Sequence, residues 1–434
     1  MNNIIGFFVL IFLIVWGSAV AQENQEQRLQ TLENEVAALK AAQEGTPAHD
    51  FHLTGYANVQ YSAPEEGKST FTTLFAPIFL YKVSDRLLFE GELEFQLEEG
   101  ETDVAFEYSQ IDYMFADNAV LVTGKMLLPL GTFGERGHPS WINKLPMSPL
   151  IYGGHHGSPV GLIPVMSDFG VQLRGGFPSN GMRWNYAAYI VNGPRISDAG
   201  TSDTSAESSE GGHADLLSPK FNAAGEADEG HGHSGGGGGL DYSPSADDDN
   251  NDKAFGIRFG AIPIAGIEIG LSYYTAKVAF HKFVDHDEPP GDKTEATIAL
   301  TMVDFVYQHG PLQVQGEYLL EDTSEIGTYG IAAEDDDSTL GVTEQSEELE
   351  VPENRSGYWV EISHMFGGWV PELVLRYGIT NSDGDELGSQ TALGFNWWLE
   401  SSLVFKLAVA SNSVAEGDET ETTTDYFAAL AMGF

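Results

Sequence analysis

Between Leu87 and Glu98 the chain reads Leu-Leu-Phe-Glu-Gly-Glu-Leu-Glu-Phe-Gln-Leu-Glu. Successive side chains of an extended strand point to opposite faces. Leu87, Phe89, Leu93, Phe95 and Leu97 therefore share one face, and Glu90, Glu92, Glu94, Gln96 and Glu98 share the other. The glutamate row requires water, and the opposite row requires an apolar medium. About sixteen runs with this period follow one another, starting near residues 51, 71, 87, 104, 119, 169, 183, 253, 267, 296, 312, 355, 372, 389, 403 and 425. Their connections alternate. Ser84–Arg86, Ala116–Asn118, Ser179–Met182, Pro263–Gly266, His309–Pro311, Gly367–Pro371 and Glu400–Ser402 are short, and every other connection is free to be long, with two very long ones near 195–252 and 322–354. An even number of roughly 10-residue alternating strands, with turns at one end and loops at the other, predicts a transmembrane antiparallel β-barrel. Closing the sheet pairs every backbone group, so it can sit in lipid. A soluble all-β sandwich also alternates and is the second fold for this pattern.

Composition narrows the class further. The formal charge is −45, which excludes the basic footprint of a nucleic-acid binder. The absence of cysteine excludes both thiolate metal sites and a disulfide framework. Residues 1–21 read as a signal peptide, with an apolar stretch from Ile4 to Val15 and Ala19-Val20-Ala21 ahead of Gln22. The leading residues lack Lys and Arg, so an uncleaved anchor helix is the alternative. No later segment offers the ~20 apolar residues of a second membrane helix. Residues 22–47 form the next unit, with Leu29, Leu32, Val36 and Leu39 at 3-4-3 spacing and Gly45-Thr46-Pro47 ending the helix. Either a solvated amphipathic helix or a short periplasmic coiled coil fits that spacing. The barrel then occupies 51–434, and its last row, Tyr426, Ala428, Leu430, Met432 and Phe434, ends on a terminal aromatic. That row resembles the C-terminal signature of barrels inserted into the outer membrane of Gram-negative bacteria.

The exception to the strand period is 128–168, about forty residues punctuated by Pro and Gly yet rich in Leu, Ile, Val, Met and Trp. A loop this long in a compact domain is functional or disordered, and its apolar content argues for packing. Here the chain resembles a known family. Gly124–Pro139 (Gly-Lys-Met-Leu-Leu-Pro-Leu-Gly-Thr-Phe-Gly-Glu-Arg-Gly-His-Pro), Ser167–Val171, Tyr189–Gly193, the Gln308–Leu320 hairpin and Leu375-Arg-Tyr377 look like the phosphate-selective porin O and P family. The resemblance spans 51–434 and implies a homotrimeric outer-membrane porin whose third loop, 128–168, folds into the lumen as the constriction. Charged candidates there are Glu135, Arg136, His138, Lys144, His155, His156 and Asp168. Phosphate-selective members line the pore with a dense ladder of Lys and Arg, whereas this chain has only 20 basic residues in all.

Strand parity points the wall charges inward, because a lipid-facing charge at mid-bilayer costs ~2–4 kcal/mol. Glu90, Glu92, Glu94, Glu98 and Glu107 come first, followed by Lys125, Arg174, Arg183 and Arg258. Glu268, Asp304, Glu317 and Glu361 follow, then Arg376 and Lys406. They read either as ordinary polar wall or as a field across the pore. The segments 195–252 and 322–354 carry thirteen and eleven acidic residues against Arg195 and Lys220 in the first and no base in the second. Their composition predicts solvated, flexible extracellular chain. His231 and His233 are weak metal candidates, and no cofactor is implied.

A porin for passive diffusion of small hydrophilic solutes or ions is the leading function. A receptor or uptake channel for a metal chelate or siderophore is the alternative. An energised transporter with a plug and about 22 strands does not fit in this length, and no nucleophile-elbow or zincin motif marks an enzyme. The partners expected are outer-membrane lipid, lipopolysaccharide and the transported solutes.

Overall fold

The structure is a computed structural model that describes residues 50–65, 67–98, 101–153, 161–197, 239–241, 252–281, 293–324, 354–416 and 419–434. The expected signal peptide and helix (1–47), His155, His156, His231 and His233 lie outside the described residues. So does most of the acidic segments 195–252 and 322–354.

The strands in chain order are β1 (Asp50–Ala63), β2 (Thr70–Ser84), β3 (Leu87–Glu98), β4 (Glu101–Ala116), β5 (Ala119–Leu127), β6 (Ser167–Ser179) and β7 (Met182–Val191). A short ribbon, β8 (Arg195–Ser197) with β9 (Gly239–Asp241), stands outside the main sheet. Then come β10 (Ala254–Ile262), β11 (Ile267–His281), β12 (Lys293–His309), β13 (Leu312–Thr323), β14 (Asn354–His364), β15 (Glu372–Ser382), β16 (Asp385–Glu400), β17 (Leu403–Glu416) and β18 (Glu419–Gly433). All but the ribbon close into one antiparallel barrel of sixteen strands, each beside its chain neighbour, with β1 sealing against β18. The seam pairs Val59 with Leu430 and Tyr61 with Ala428. Phe434 extends it by exchanging backbone hydrogen bonds with Gly55 at 3.0 and 3.1 Å. Phe434 is thus part of the closure.

Period two is visible strand by strand. On β15, Glu372, Val374, Arg376, Gly378 and Thr380 face inward, while Leu373, Leu375 and Tyr377 are exposed on the outside. The outer surface elsewhere carries Phe75, Phe89, Ile111, Leu173, Ile257, Leu271, Val303 and Leu407, the apolar band that a lipid-facing wall needs. Among the described residues no helix is long and apolar enough to cross a membrane. The Asn180-Gly181 turn has φ of 53° and 77°, the positive pair required by a two-residue hairpin whose twist matches its strands.

One strand departs from simple alternation. Glu92 pairs with Tyr108 and Leu93 with Phe106, so Glu107 is an extra residue with no partner. This bulge swaps the parity of β4: Val104 and Phe106 face outward before it, Ile111 and Tyr113 after it.

Candidate pore constriction

Residues 128–153 and 161–166 run through the barrel interior and make an apolar core with one side of its wall. Leu128, Leu130, Phe133, Ile151, Tyr152, Leu162 and Ile163 are buried together with Val278, Ile298, Leu300, Met302, Leu319 and Trp359. Leu145 and Met147 pack on Val374, Ala392, Ala408 and Ala410. A Cβ on Gly378 would stand 3.0 Å from the Cβ of Leu150, so glycine there lets the loop lie flat on the strand. Hydrophobic burial, more than any turn motif, holds this segment inside.

Polar brackets fix its path. Glu317 on β13 receives the backbone N–H of Thr132 (2.5 Å) and Phe133 (2.8 Å) and the Thr132 hydroxyl on Oε1; on Oε2 it receives the Tyr152 hydroxyl (2.7 Å) and the Trp359 indole (3.0 Å). The two amides open a single π-helical turn, Phe133–Gly137, so the carboxylate sits where a helix start presents unpaired donors. Sequence reading placed no helix here. Glu317 also pushes the Tyr152 phenol well above its ordinary value: burial comes first, and the carboxylate's charge adds to it. Arg136, in the same turn, forks onto Glu268 of β11 at 2.7 and 3.1 Å. Burial works against its charge, but the hydrogen bond and charge of Glu268 more than offset that and hold the guanidinium above its usual value.

Farther along, Arg376 binds Glu361 (2.7 and 2.9 Å), the Asn143 side-chain oxygen (2.6 Å) and the Met147 carbonyl (2.8 Å). Lys144 pairs with Glu372 at 2.7 Å. Asn396 donates to the Lys144 carbonyl, and Lys406 to the carbonyls of Ser140 and Asn143. Arg355 pairs with Glu321 and reaches the Leu162 carbonyl.

The remaining predicted site residues divide between these brackets and open wall. Arg258 is buried against Asp304, and Arg174 pairs with Asp112 at 2.6 Å. Asp168 opens β6 instead of lying on the loop, and accepts the amides of Phe169 and Gly193. Glu135 lies 3.9 Å from Arg136. Arg183 is exposed at the turn end of β7, and Glu90 is half-buried. Lys125 donates to the Phe106 carbonyl. The basic strip expected to face open water is thus largely covered: Arg258, Arg376 and Lys406 are 3 %, 1 % and 1 % exposed.

What stays open is the other side of the lumen. A cavity of about 220 Å³ lies between the loop and β1–β4, β17 and β18, lined by Asn58, Gln60, Thr72, Gln96, Ser140 and Ser148 together with Glu94, Glu107, His138 and Lys406. Glu94 accepts a hydrogen bond from Tyr56 at 3.1 Å. His138 donates Nδ1–H to the Gly134 carbonyl at 2.7 Å, and burial holds the imidazole below its ordinary value. Sequence parity placed Glu94 and Glu107 here but missed Asn143, Glu372, Glu321 and Arg355, since only tertiary contact with the loop gives them a role.

No protein-family model matches the chain, and no curated protein matches it in sequence. Solved structures match its fold. The outer membrane channel DcaP of Acinetobacter baumannii aligns with a TM-score of 0.51 at 10% identity, covering 89% of this chain and 98% of that one. The fold is that of the outer-membrane porins. Salmonella typhi OmpF, in complex with daunomycin, gives the same answer, at a TM-score of 0.50, 11% identity and 89% and 98% coverage. In this porin-fold barrel the long internal segment follows the fifth strand and comes back to the sixth, so it is the third connection at the loop end.

Proposed function

We propose that this barrel is an outer-membrane porin of a Gram-negative bacterium that lets small hydrophilic solutes and ions diffuse through a water-filled passage. The observation that carries this reading is the one-sided packing of 128–153 and 161–166: these residues pack on the inner face of β11–β16 and leave a polar cavity beside β1–β4. A sixteen-stranded barrel is otherwise wide, and a segment bracketed at both ends narrows it to a fixed constriction. No catalytic step is assigned to it. Its partners are outer-membrane lipid, lipopolysaccharide, the solutes and two further copies of the chain.

Selectivity follows from which charges meet the solute. Arg258, Arg376 and Lys406 are occupied by Asp304, Glu361 and loop carbonyls, whereas Glu94 and Glu107 line the open side. The acidic segments 195–252 and 322–354 add negative charge at the mouth, reaching about 8 Å at physiological salt. Together they favour cations weakly, and more so as salt falls. Bilayer recordings in a salt gradient test this. Wild type should show discrete steps and a cation-signed reversal potential that grows at low salt. Deleting 198–250 should shrink the low-salt preference and leave high-salt conductance nearly unchanged. Strong anion selectivity with block by phosphate would overturn the charge assignment and favour the phosphate-selective relatives that the sequence resembles. An absence of steps would overturn the channel itself.

A further inference from the structure

We infer that the cavity between Glu94, Glu107 and His138 is a binding subsite for a primary ammonium group, so that small aliphatic amines are a favoured solute class. The inference rests on the channel reading above.

Three observations converge on it. First, three of the side chains that line this part of the lumen offer hydrogen-bond acceptors. Glu94 and Glu107 present carboxylates. A carbonyl cannot donate, so Nδ1 carries the proton to Gly134; burial favours the neutral ring, which leaves Nε2 with a lone pair. That Nε2 is buried and has no partner. Second, acidic side chains outnumber bases. Glu92, 2 % exposed on the same inward face of β3, has its Oε1 without a partner. Beside these three acidic side chains stands Lys125, whose Nζ is hydrogen-bonded to the Phe106 carbonyl. Lys406, the lysine of the cavity lining, is spent on the carbonyls of Ser140 and Asn143. A buried polar atom without a partner in a built site asks for an occupant.

Third, the bulge makes the arrangement. Without the extra residue in β4, Glu107 and Tyr108 would fall on opposite faces; with it, Glu107 joins Glu94 on the cavity wall while Tyr108 stays opposite Glu92. Bulges of this kind re-aim a side chain.

The chemistry of the acceptors selects the ligand. Among the described residues no group of His, Asp and Glu has the spacing to hold a metal ion. An R–NH3+ group donates three hydrogen bonds over a wider range of angles, which matches two carboxylates and one imidazole lone pair. A quaternary ammonium has the charge without the donors. The volume of about 220 Å³ is below the roughly 300–1,000 Å³ of a drug-sized pocket, so the solute is small.

The test uses the full-length barrel and three probes: 1-aminobutane, tetramethylammonium and inorganic phosphate. In bilayer recordings, 1-aminobutane should reduce the current at a concentration about tenfold below that needed for tetramethylammonium, the factor one charge-assisted hydrogen bond supplies. Phosphate should have no such effect. Glu94→Gln with Glu107→Gln, and separately His138→Phe, should each bring the amine close to tetramethylammonium. Calorimetric titration of the detergent-solubilised barrel reads the same preference without needing conduction. A barrel that conducts but treats the two cations alike overturns the subsite and leaves the porin reading standing. A barrel that binds the amine yet shows no steps overturns the porin reading instead. If the double variant fails to fold, the wild-type comparison of the two cations still decides.

Discussion

Replacing Glu317 with Gln should release the internal loop. The carboxylate is 3 % exposed, has no cationic partner among the described residues, and accepts five hydrogen bonds, three of them on Oε1 and two on Oε2. An amide keeps one oxygen. If that oxygen faces Thr132 and Phe133, the new NH2 meets the Tyr152 hydroxyl, which can turn and accept, and the Trp359 indole N–H, which cannot. Leaving one buried donor unsatisfied costs about 1–3 kcal/mol, and bonds to a neutral acceptor are worth about half those to a charged one. The net loss is about 3 kcal/mol, a roughly hundredfold increase in the population with the loop off the wall. The chain has no cysteine, so Ile151→Cys introduces a single thiol at a position 0 % exposed where the loop packs on the barrel wall. Its rate of modification by a soluble maleimide measures the open population. The rate should rise about a hundredfold when Glu317→Gln is added. Rates within about threefold of each other would show that apolar packing alone holds the segment and that the carboxylate bracket is incidental.

Arg376→Met should strand Glu361, which is 1 % exposed and would keep Gln315 at 2.8 Å as its donor. Breaking one side of a buried pair costs about 3–5 kcal/mol, so the unboiled barrel should convert to its slow-migrating form at a lower temperature. Adding Glu361→Gln should restore more than half of the loss, and an equal loss in the double variant would argue against the pairing. For pH, burial holds the folded His138 below its ordinary value, so the unfolded chain takes up the proton first as pH falls. Its contribution to stability is complete above about 6.5 and declines below that. The urea midpoint of wild type should therefore fall more steeply than that of His138→Gln between about pH 7 and 5, and parallel curves would refute the assignment.

Much of this protein was legible in one dimension because lipid imposes a strict rule. Every strand must alternate, and every second connection must be short. The runs starting near 51, 87, 119, 267, 312, 372 and 403 therefore begin within a residue or two of the observed strands. The same rule gave the inward direction of Glu94, Lys125, Arg258, Glu317, Arg376 and Lys406. Even the bulge leaves a trace, since the outward apolar residues of β4 change from even positions, Val104 and Phe106, to odd ones, Ile111 and Tyr113.

Parity says which face a side chain occupies and nothing about what lies in front of it. That depended on the path of 128–153 and 161–166, which has no period to read. Hydrophobic burial is non-directional, so Leu, Ile and Met spread through a Pro- and Gly-rich segment predict packing without choosing a wall. The choice was made by tertiary contacts between residues far apart in sequence: Thr132 with Glu317, Arg136 with Glu268, Asn143 with Arg376, Lys144 with Glu372. Those contacts turn a strip of apparently pore-lining cations into covered brackets. They leave Glu94, Glu107 and His138 lining the cavity on the other side.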